Sequence, residues 1–150
     1  MKVGEVMCRS AKTINANETL KRAAQLMAAE DVGFLPVEED DRLIGMLTDR
    51  DIVTRCIAQG KDGVSRVRDA MTKDVKYCFE DEDLDEVMDN MADLQVRRLP
   101  VMSNDKRLVG ILSLADVART YSPDAVGVAF SGVVSPGGAH SGDPNARMSR

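Results

Sequence analysis

The chain of 150 residues has no tryptophan, and its only aromatic side chains are Phe34, Phe79, Phe130, Tyr77 and Tyr121. Its core must therefore be assembled from Val, Leu, Ile, Met and Ala. It has a single histidine, His140, in a Gly/Ser/Pro-rich stretch, so neither a His-based metal site nor a catalytic dyad can be built. Cys8, Cys56 and Cys78 are odd in number and form no CxxC pair, which excludes a zinc ribbon and a secreted disulfide framework. There is no P-loop and no Ser-His-Asp set, and we expect no enzyme activity. There is no basic excess either: 20 Lys and Arg stand against 25 Asp and Glu, a net charge of −5, which argues against nucleic acid as the main partner. No apolar run approaches the ~20 residues needed to cross a bilayer, and the start lacks a signal-peptide pattern, so a cytoplasmic location and no membrane partner are expected.

What the chain does have is the same text twice. Leu35-Pro36-Val37 followed by Arg42-Leu43-Ile44-Gly45-Met46-Leu47-Thr48-Asp49-Arg50-Asp51-Ile52 returns as Leu99-Pro100-Val101 followed by Arg107-Leu108-Val109-Gly110-Ile111-Leu112-Ser113-Leu114-Ala115-Asp116-Val117. The offset is 64 residues from Val3 to Val37 and 65 from Arg42 onward, so one residue is added in the turn 103–106. An internal repeat sets the structural unit before any single motif does.

Each copy reads β-α-β-β-α. A short extended piece lies at Thr13-Ile14 and at Tyr77-Cys78. A helix from about Thr19 to Glu30 carries Leu20, Ala23, Ala24 and Met27 at helical spacing, matched by Leu84, Val87, Met88 and Met91. Phe34–Val37 and Leu43–Leu47 flank an acidic turn and read as a hairpin. Pro36 and Pro100 belong where no neighbour needs the backbone donor. A closing helix runs from about Asp49 to Ala58 and stops near Gly60. The expected fold is α/β (α+β): two repeats, 1–60 and 67–121, joined by linker 61–66 and packed sheet to sheet. From 122 to 150 we expect a Gly/Ser/Pro-rich tail, disordered over much of its length, with Ala125–Phe130 as an apolar patch at its root.

The chemistry-bearing motif is Gly-φ-φ-(Thr/Ser)-x-x-Asp, at Gly45–Asp51 and Gly110–Asp116. Thr48 and Ser113 suit helix N-caps, and Asp51 and Asp116 fall at N3, where a carboxylate is favoured; a pure capping role is one reading. A hydroxyl and a carboxylate at a helix start also suit a sugar or phosphate, and a carboxylate can accept both hydroxyls of a ribose. Gly45 and Gly110 would let a flat base approach the backbone.

With its LPV hairpin and G-φ-φ-(T/S)-x-x-D-φ ending, the unit resembles the CBS (cystathionine β-synthase) domain, and two in tandem resemble a CBS pair, or Bateman module, over about residues 1–121. Gly45–Val53 is similar to stand-alone bacterial CBS-pair proteins, including the mycobacterial hypoxic-response type. The resemblance implies a pseudo-twofold pair with clefts that take adenosine-containing ligands such as AMP, ADP, ATP or S-adenosylmethionine, with no required cofactor. It implies that Asp51 and Asp116 hold ribose hydroxyls, with Thr48, Arg50 and Ser113 beside them. It further implies that Thr13, Ile14, Tyr77 and Cys78 contact the base, together with Phe34, Pro36 and Pro100. Arg97 and Arg98 would take phosphate. The copies differ, with Gly33-Phe34 against Arg97-Arg98 and Asp49-Arg50 against Leu114-Ala115, so the two sites should differ in affinity. A homodimer is expected, with output through self-association or an effector protein in trans. The alternative is a constitutive, stress-related interaction protein with no nucleotide ligand.

Overall fold

The computed structural model describes residues 1–135. They divide into two compact bodies that do not coincide with the sequence repeats. The first body is Ala11–Val75; the second joins Met1–Ser10 to the chain from Lys76 onward.

In the first body, β1 (Ile14–Asn15) leads to α1 (Leu20–Glu30), then β2 (Phe34–Glu39), β3 (Arg42–Thr48) and α2 (Asp49–Arg55). The sheet order is β1-β2-β3, with β1 parallel and β3 antiparallel to β2. Thr19 caps α1 by accepting from Arg22 N at 3.1 Å, and Asp31 ends it in the left-handed conformation. Leu20, Ala23 and Met27 turn inward onto Leu35, Val37 and Leu47 of the sheet. The β2–β3 hairpin turns through Asp40 and Asp41, both at positive φ (52° and 63°), the geometry that two-residue turns favour. After α2, a 3-10 turn at Ile57–Gln59 closes on Gly60 at φ 75°.

The second body repeats this order with β4 (Cys78–Phe79), α3 (Leu84–Leu94), β5 (Arg98–Met102), β6 (Leu108–Ser113) and α4 (Leu114–Thr120), in sheet order β4-β5-β6. A strand irregularity recurs at Val37/Glu38 and at Val101/Met102. The extra residue of the second copy is absorbed between β5 and β6, where Ser103 N donates to Arg107 O and Lys106 takes φ 65°.

Each body borrows its lid from the other copy's text. In the first, Val67 N donates to Glu18 O (2.9 Å), Arg68 N to Ala16 O (3.0 Å) and Leu20 N to Ser65 O (2.8 Å). In the second, the counterpart bonds are Val3 N to Glu82 O (3.1 Å), Gly4 N to Glu80 O (2.9 Å) and Leu84 N to Met1 O (2.9 Å). Val67, Ala70 and Met71 thus complete the first core, and Val3, Val6 and Met7 the second.

Pro36 and Pro100 lie on the central strands, not at a sheet edge. Met46 directs both its N–H and its C=O to Thr72 (3.0 and 2.8 Å), so the facing Pro36–Met46 pair exchanges no ladder bonds. On the other side β1 begins only opposite Val37. The missing donor is needed by neither neighbour, as expected.

The tail reading needs correction over its first part. Pro123–Val133 forms a fifth helix, α5, capped by Ser122 Oγ accepting from Ala125 N at 3.2 Å. It packs on α3 and α4, burying Ala129 and Val133. Gly132 makes this possible: a Cβ there would stand 2.7 Å from Ala92 Cβ. The expected disorder of 136–150 lies outside the described residues. Among the described residues no helix is long and apolar enough to cross a membrane.

Candidate functional site

Both copies place their motif residues at one junction, where the last strand ends and the closing helix begins. In the first body Thr48 faces Phe34 across the β2–β3 ladder and caps α2. Thr48 Oγ1 accepts from Asp51 N at 3.1 Å, and Thr48 N donates to Asp51 Oδ2 at 2.9 Å, a reciprocal capping box. Asp49 N donates to Gly33 O (2.9 Å), which fastens the helix start to the entry of β2. Asp51 is only 14% exposed, and its second oxygen, Oδ1, faces Arg55 Nε at 3.9 Å. The same Arg55 donates through Nη1 to Ala70 O and Met71 O, both at 3.1 Å, so it holds the borrowed lid. Arg50 points to solvent.

The second body departs from this in chemistry. Ser113 Oγ accepts from Asp116 N (3.1 Å) and donates to Asp116 Oδ2 (2.8 Å), while Arg119 Nη2 pairs with Asp116 Oδ1. Both oxygens of Asp116 are therefore engaged, whereas Asp51 Oδ1 has only one long ion pair. Leu114 N donates to Arg97 O at 3.0 Å, and Arg98 faces Ser113 across the β5–β6 ladder. Arg97, expected at a phosphate, lays its guanidinium 5.3 Å from the centre of the Phe130 ring on α5.

The residues expected to meet a base divide into two kinds. Ile14 and Cys78 turn their side chains into the cores, and Pro36 and Pro100 are buried as well. These positions offer a ligand backbone rather than side chain. Cys78 Sγ lies 3.8 Å from Pro100 O, and burial, with the nearby charge of Glu82, pushes its thiol up to about 12. It is a neutral packing group at physiological pH, not a nucleophile or metal ligand. Tyr77 is the opposite case: it is 52% exposed and meets Phe79 edge to face at 5.6 Å. Phe34 and Thr13 are half-buried, and Thr13 Oγ1 reaches Glu38 Oε2 at 3.5 Å.

One reading of the motif is overturned. Gly45 and Gly110 do not open the backbone to a base; the borrowed lid already fills that space. A Cβ at Gly45 would lie 2.6 Å from Met71 Sδ and 3.0 Å from Thr72 O. At Gly110 it would lie 2.7 Å from Cys8 O and 2.8 Å from Met7 Sδ. Here Cys8 and Ile111 exchange both backbone bonds, at 2.8 and 2.9 Å. Sequence reasoning also missed Arg55, Arg119 and Phe130. An arginine three or four residues after an acid on a helix was a legible sign for the first two. Ser122-Pro123-Asp124 was a legible helix start for the third. Among the described residues no group of three or more His, Cys, Asp or Glu could hold a metal ion.

Comparison with known proteins agrees with this duplicated architecture. The family described as CBS domain matches residues 3–57 and again 67–122. The chain is 38% identical over 134 residues to Hypoxic response protein 1 of Mycobacterium tuberculosis, covering 88% of this chain and 93% of that protein. It is 37% identical over 132 residues to the CBS domain-containing protein YhcV of Bacillus subtilis, covering 87% and 94%. Among solved structures, the CBS domain pair of protein MJ0100, in complex with 5′-methylthioadenosine and S-adenosyl-L-methionine, superposes with a TM-score of 0.72 at 26% identity, covering 83% of this chain and 98% of that one. The repeat, the exchanged lids and the paired capping motifs thus have one explanation: this chain belongs to the CBS domain family and carries two tandem copies.

Proposed function

We propose that the chain is a regulatory module that takes an adenosine-containing ligand of the AMP, ADP or ATP class at its strand–helix junctions, and passes occupancy on through self-association or an effector protein in trans. The observation that carries this reading is Asp51 Oδ1. It belongs to a side chain only 14% exposed, and its only partner among the described residues is Arg55 at 3.9 Å. A carboxylate so placed can accept ribose hydroxyls while its other oxygen keeps the cap. The half-buried Phe34 ring and the Thr13–Ile14 backbone supply surfaces for a base, and Arg50 supplies a cation for phosphate. The adenosine compounds held by the MJ0100 pair share the ribose and base required here. Regulation requires that ligand prefer one state of the module over another.

The test is calorimetric titration with AMP, ADP, ATP and S-adenosylmethionine. Asp51→Asn keeps an acceptor for the cap but removes the charge, and losing a charge-assisted hydrogen bond costs about 1.5–3 kcal/mol. Affinity for the preferred ligand is expected to fall roughly 10- to 100-fold, with Asp116→Asn having the smaller effect. An unchanged affinity in both variants refutes the ribose assignment. The second copy supports the other reading, a constitutive interaction protein, because Ser113 and Arg119 already occupy both oxygens of Asp116. That reading holds if no adenosine compound binds the wild-type chain.

A further inference from the structure

The two lids are held by different means. Each meets its sheet through one pair of backbone bonds, Met46 with Thr72 (3.0 and 2.8 Å) and Cys8 with Ile111 (2.8 and 2.9 Å). The first lid has a further clamp. Arg55 is the last residue of α2, and its Nη1 donates to Ala70 O and Met71 O at 3.1 Å and reaches Thr72 Oγ1 at 3.4 Å. Among the described residues no other group donates to either carbonyl.

This clamp is peculiar to the first copy. By repeat position Arg55 corresponds to Thr120, whose Oγ1 turns back to donate to Asp116 O at 2.7 Å. Ala70 and Met71 correspond to Val6 and Met7, and among the described residues no side chain donates to the carbonyls of those two. Arg119 pairs with Asp116 but holds nothing of the second lid.

The guanidinium that grips the first lid also faces the candidate ribose acceptor. Arg55 Nε stands 3.9 Å from Asp51 Oδ1, one turn back on α2. A guanidinium is a rigid planar fork, so its two edges cannot be aimed independently. One edge here has the lid carbonyls and the other a carboxylate, and the charge of Asp51 helps to set the angle at which Nη1 meets the carbonyls. Arg55 is itself exposed, so water can replace any bond it gives up. A hydroxyl that donates to Oδ1 takes up part of the charge that steadies the fork.

We propose that Arg55 is a positioning residue that couples occupancy of Asp51 Oδ1 to the hold on the lid, so that a sugar hydroxyl bound at Oδ1 loosens residues 70–72. For its ligand the proposal rests on the ribose reading of Asp51. Such coupling is reciprocal: the intact clamp weakens the ligand by the same factor as the ligand weakens the clamp. Only Lys73, Asp74 and Val75 separate Thr72 from Lys76, where the second body resumes, so the segment set loose is the chain's own passage from one body to the other. Lacking an equivalent of Arg55, the second copy cannot convert occupancy of Asp116 in this way.

Amide hydrogen exchange of the full chain, read by NMR at Met46 and Thr72 with Cys8 and Ile111 as internal reference, tests this. Far-UV circular dichroism confirms that each variant folds. Without ligand, Arg55→Gln and Asp51→Asn should each speed exchange at Met46 and Thr72 by roughly fivefold or more. In the double variant the two effects should not multiply, because Asp51 acts on the lid through Arg55. Effects that multiply overturn the proposal, whatever the chain binds. Saturating adenosine, which has the ribose but no phosphate to attract an arginine, should speed exchange at Thr72 in the wild type and leave it unchanged in Arg55→Gln. By reciprocity Arg55→Gln should bind adenosine roughly fivefold more tightly. Slower exchange at Thr72 on binding, or weaker binding by Arg55→Gln, overturns the proposal by making Arg55 a direct ligand contact. Arg55→Lys keeps the charge but cannot serve Asp51 and two carbonyls at once, so it replaces Arg55→Gln if that variant fails to fold, with the same signs expected. Non-multiplying effects in a chain that binds neither adenosine nor AMP uphold the coupling and refute the ribose reading.

Discussion

Gly110→Ala should destabilise the second body, although simple propensity predicts the reverse. Only Gly60 among the glycines described has a positive φ, so alanine fits the Gly110 backbone. By itself the exchange would stabilise by about 0.4–1 kcal/mol, through a less flexible unfolded chain. The new methyl, however, would stand 2.7 Å from Cys8 O, a backbone atom held by the paired Cys8–Ile111 bonds. Overpacking of this kind costs ~1–3 kcal/mol. If the lid peels away instead, two backbone hydrogen bonds worth about 0.5–1.5 kcal/mol each are lost. With the propensity gain subtracted, the net loss is up to ~2.5 kcal/mol, or at most roughly 10 °C in Tm for a chain of this size. Gly45→Ala should cost less, because the nearest atom is the flexible Met71 sulfur and Thr72 O lies farther off, at 3.0 Å. Urea unfolding followed by far-UV circular dichroism measures both, since no tryptophan is present. If Gly110→Ala is as stable as the wild type, or more so, the claim that these glycines serve the lid is wrong.

Other consequences are as direct. Thr48→Ala and Ser113→Ala should each lower the urea midpoint by an amount equivalent to about 1 kcal/mol. Ser113→Ala should be the worse, because its hydroxyl both caps the helix and donates to Asp116; equal losses would contradict that. Cys78 predicts an alkaline limb of stability. Its thiol ionises near 9.0 when unfolded but only at about 12 when folded, so its contribution is intact below pH 9 and declines between pH 9 and 12. The slope is at most ~1.4 kcal/mol per pH unit, and Cys78→Ala should flatten it; identical limbs would exclude this origin. Iodoacetamide on the native chain should label the exposed Cys8 and spare Cys56 and Cys78, as read by mass spectrometry. Gly132→Leu should dislodge α5 and speed tryptic cleavage after Arg119, and an unchanged digestion rate would show that α5 does not depend on that close approach.

Much of this was written plainly in the chain. Period and duplication located both hairpins and both long helices to within a residue or two, and the start of the closing helix; α2 ends at Arg55, short of the expected Ala58, and a 3-10 turn at Ile57–Gln59 carries the chain on to Gly60. The capping motif was legible because its partners sit three residues apart and bond locally. Two features were not. Residues 1–10 share the second copy's core because backbone groups of Val3 and Gly4 find partners at Glu82 and Glu80; periodicity carries no information about which copy supplies a partner. The glycines of the motif were misread for the same reason, since what approaches them comes from a distant part of the chain. The helix at Pro123–Val133 was hidden by composition: Gly127, Ser131 and Gly132 suggest a loop, and only packing on Ala92 shows why Gly132 suits the helix.

The exchanged lids also set an order of events during synthesis. Ala11–Val75 is contiguous, so the first body can close as soon as Val75 leaves the ribosome. The second cannot. Met1–Ser10 is made before the rest of its body, yet Cys8 has no bridging partner until Ile111 appears. Such a contact closes a long loop, and its chain-entropy cost must be met before any gain is felt. Val3 and Gly4 can find Glu82 and Glu80 earlier, but Val6 and Met7 lack the sheet half of their core until β6 is made. Residues 1–10 thus wait for partners made about a hundred residues later before all of their contacts can form.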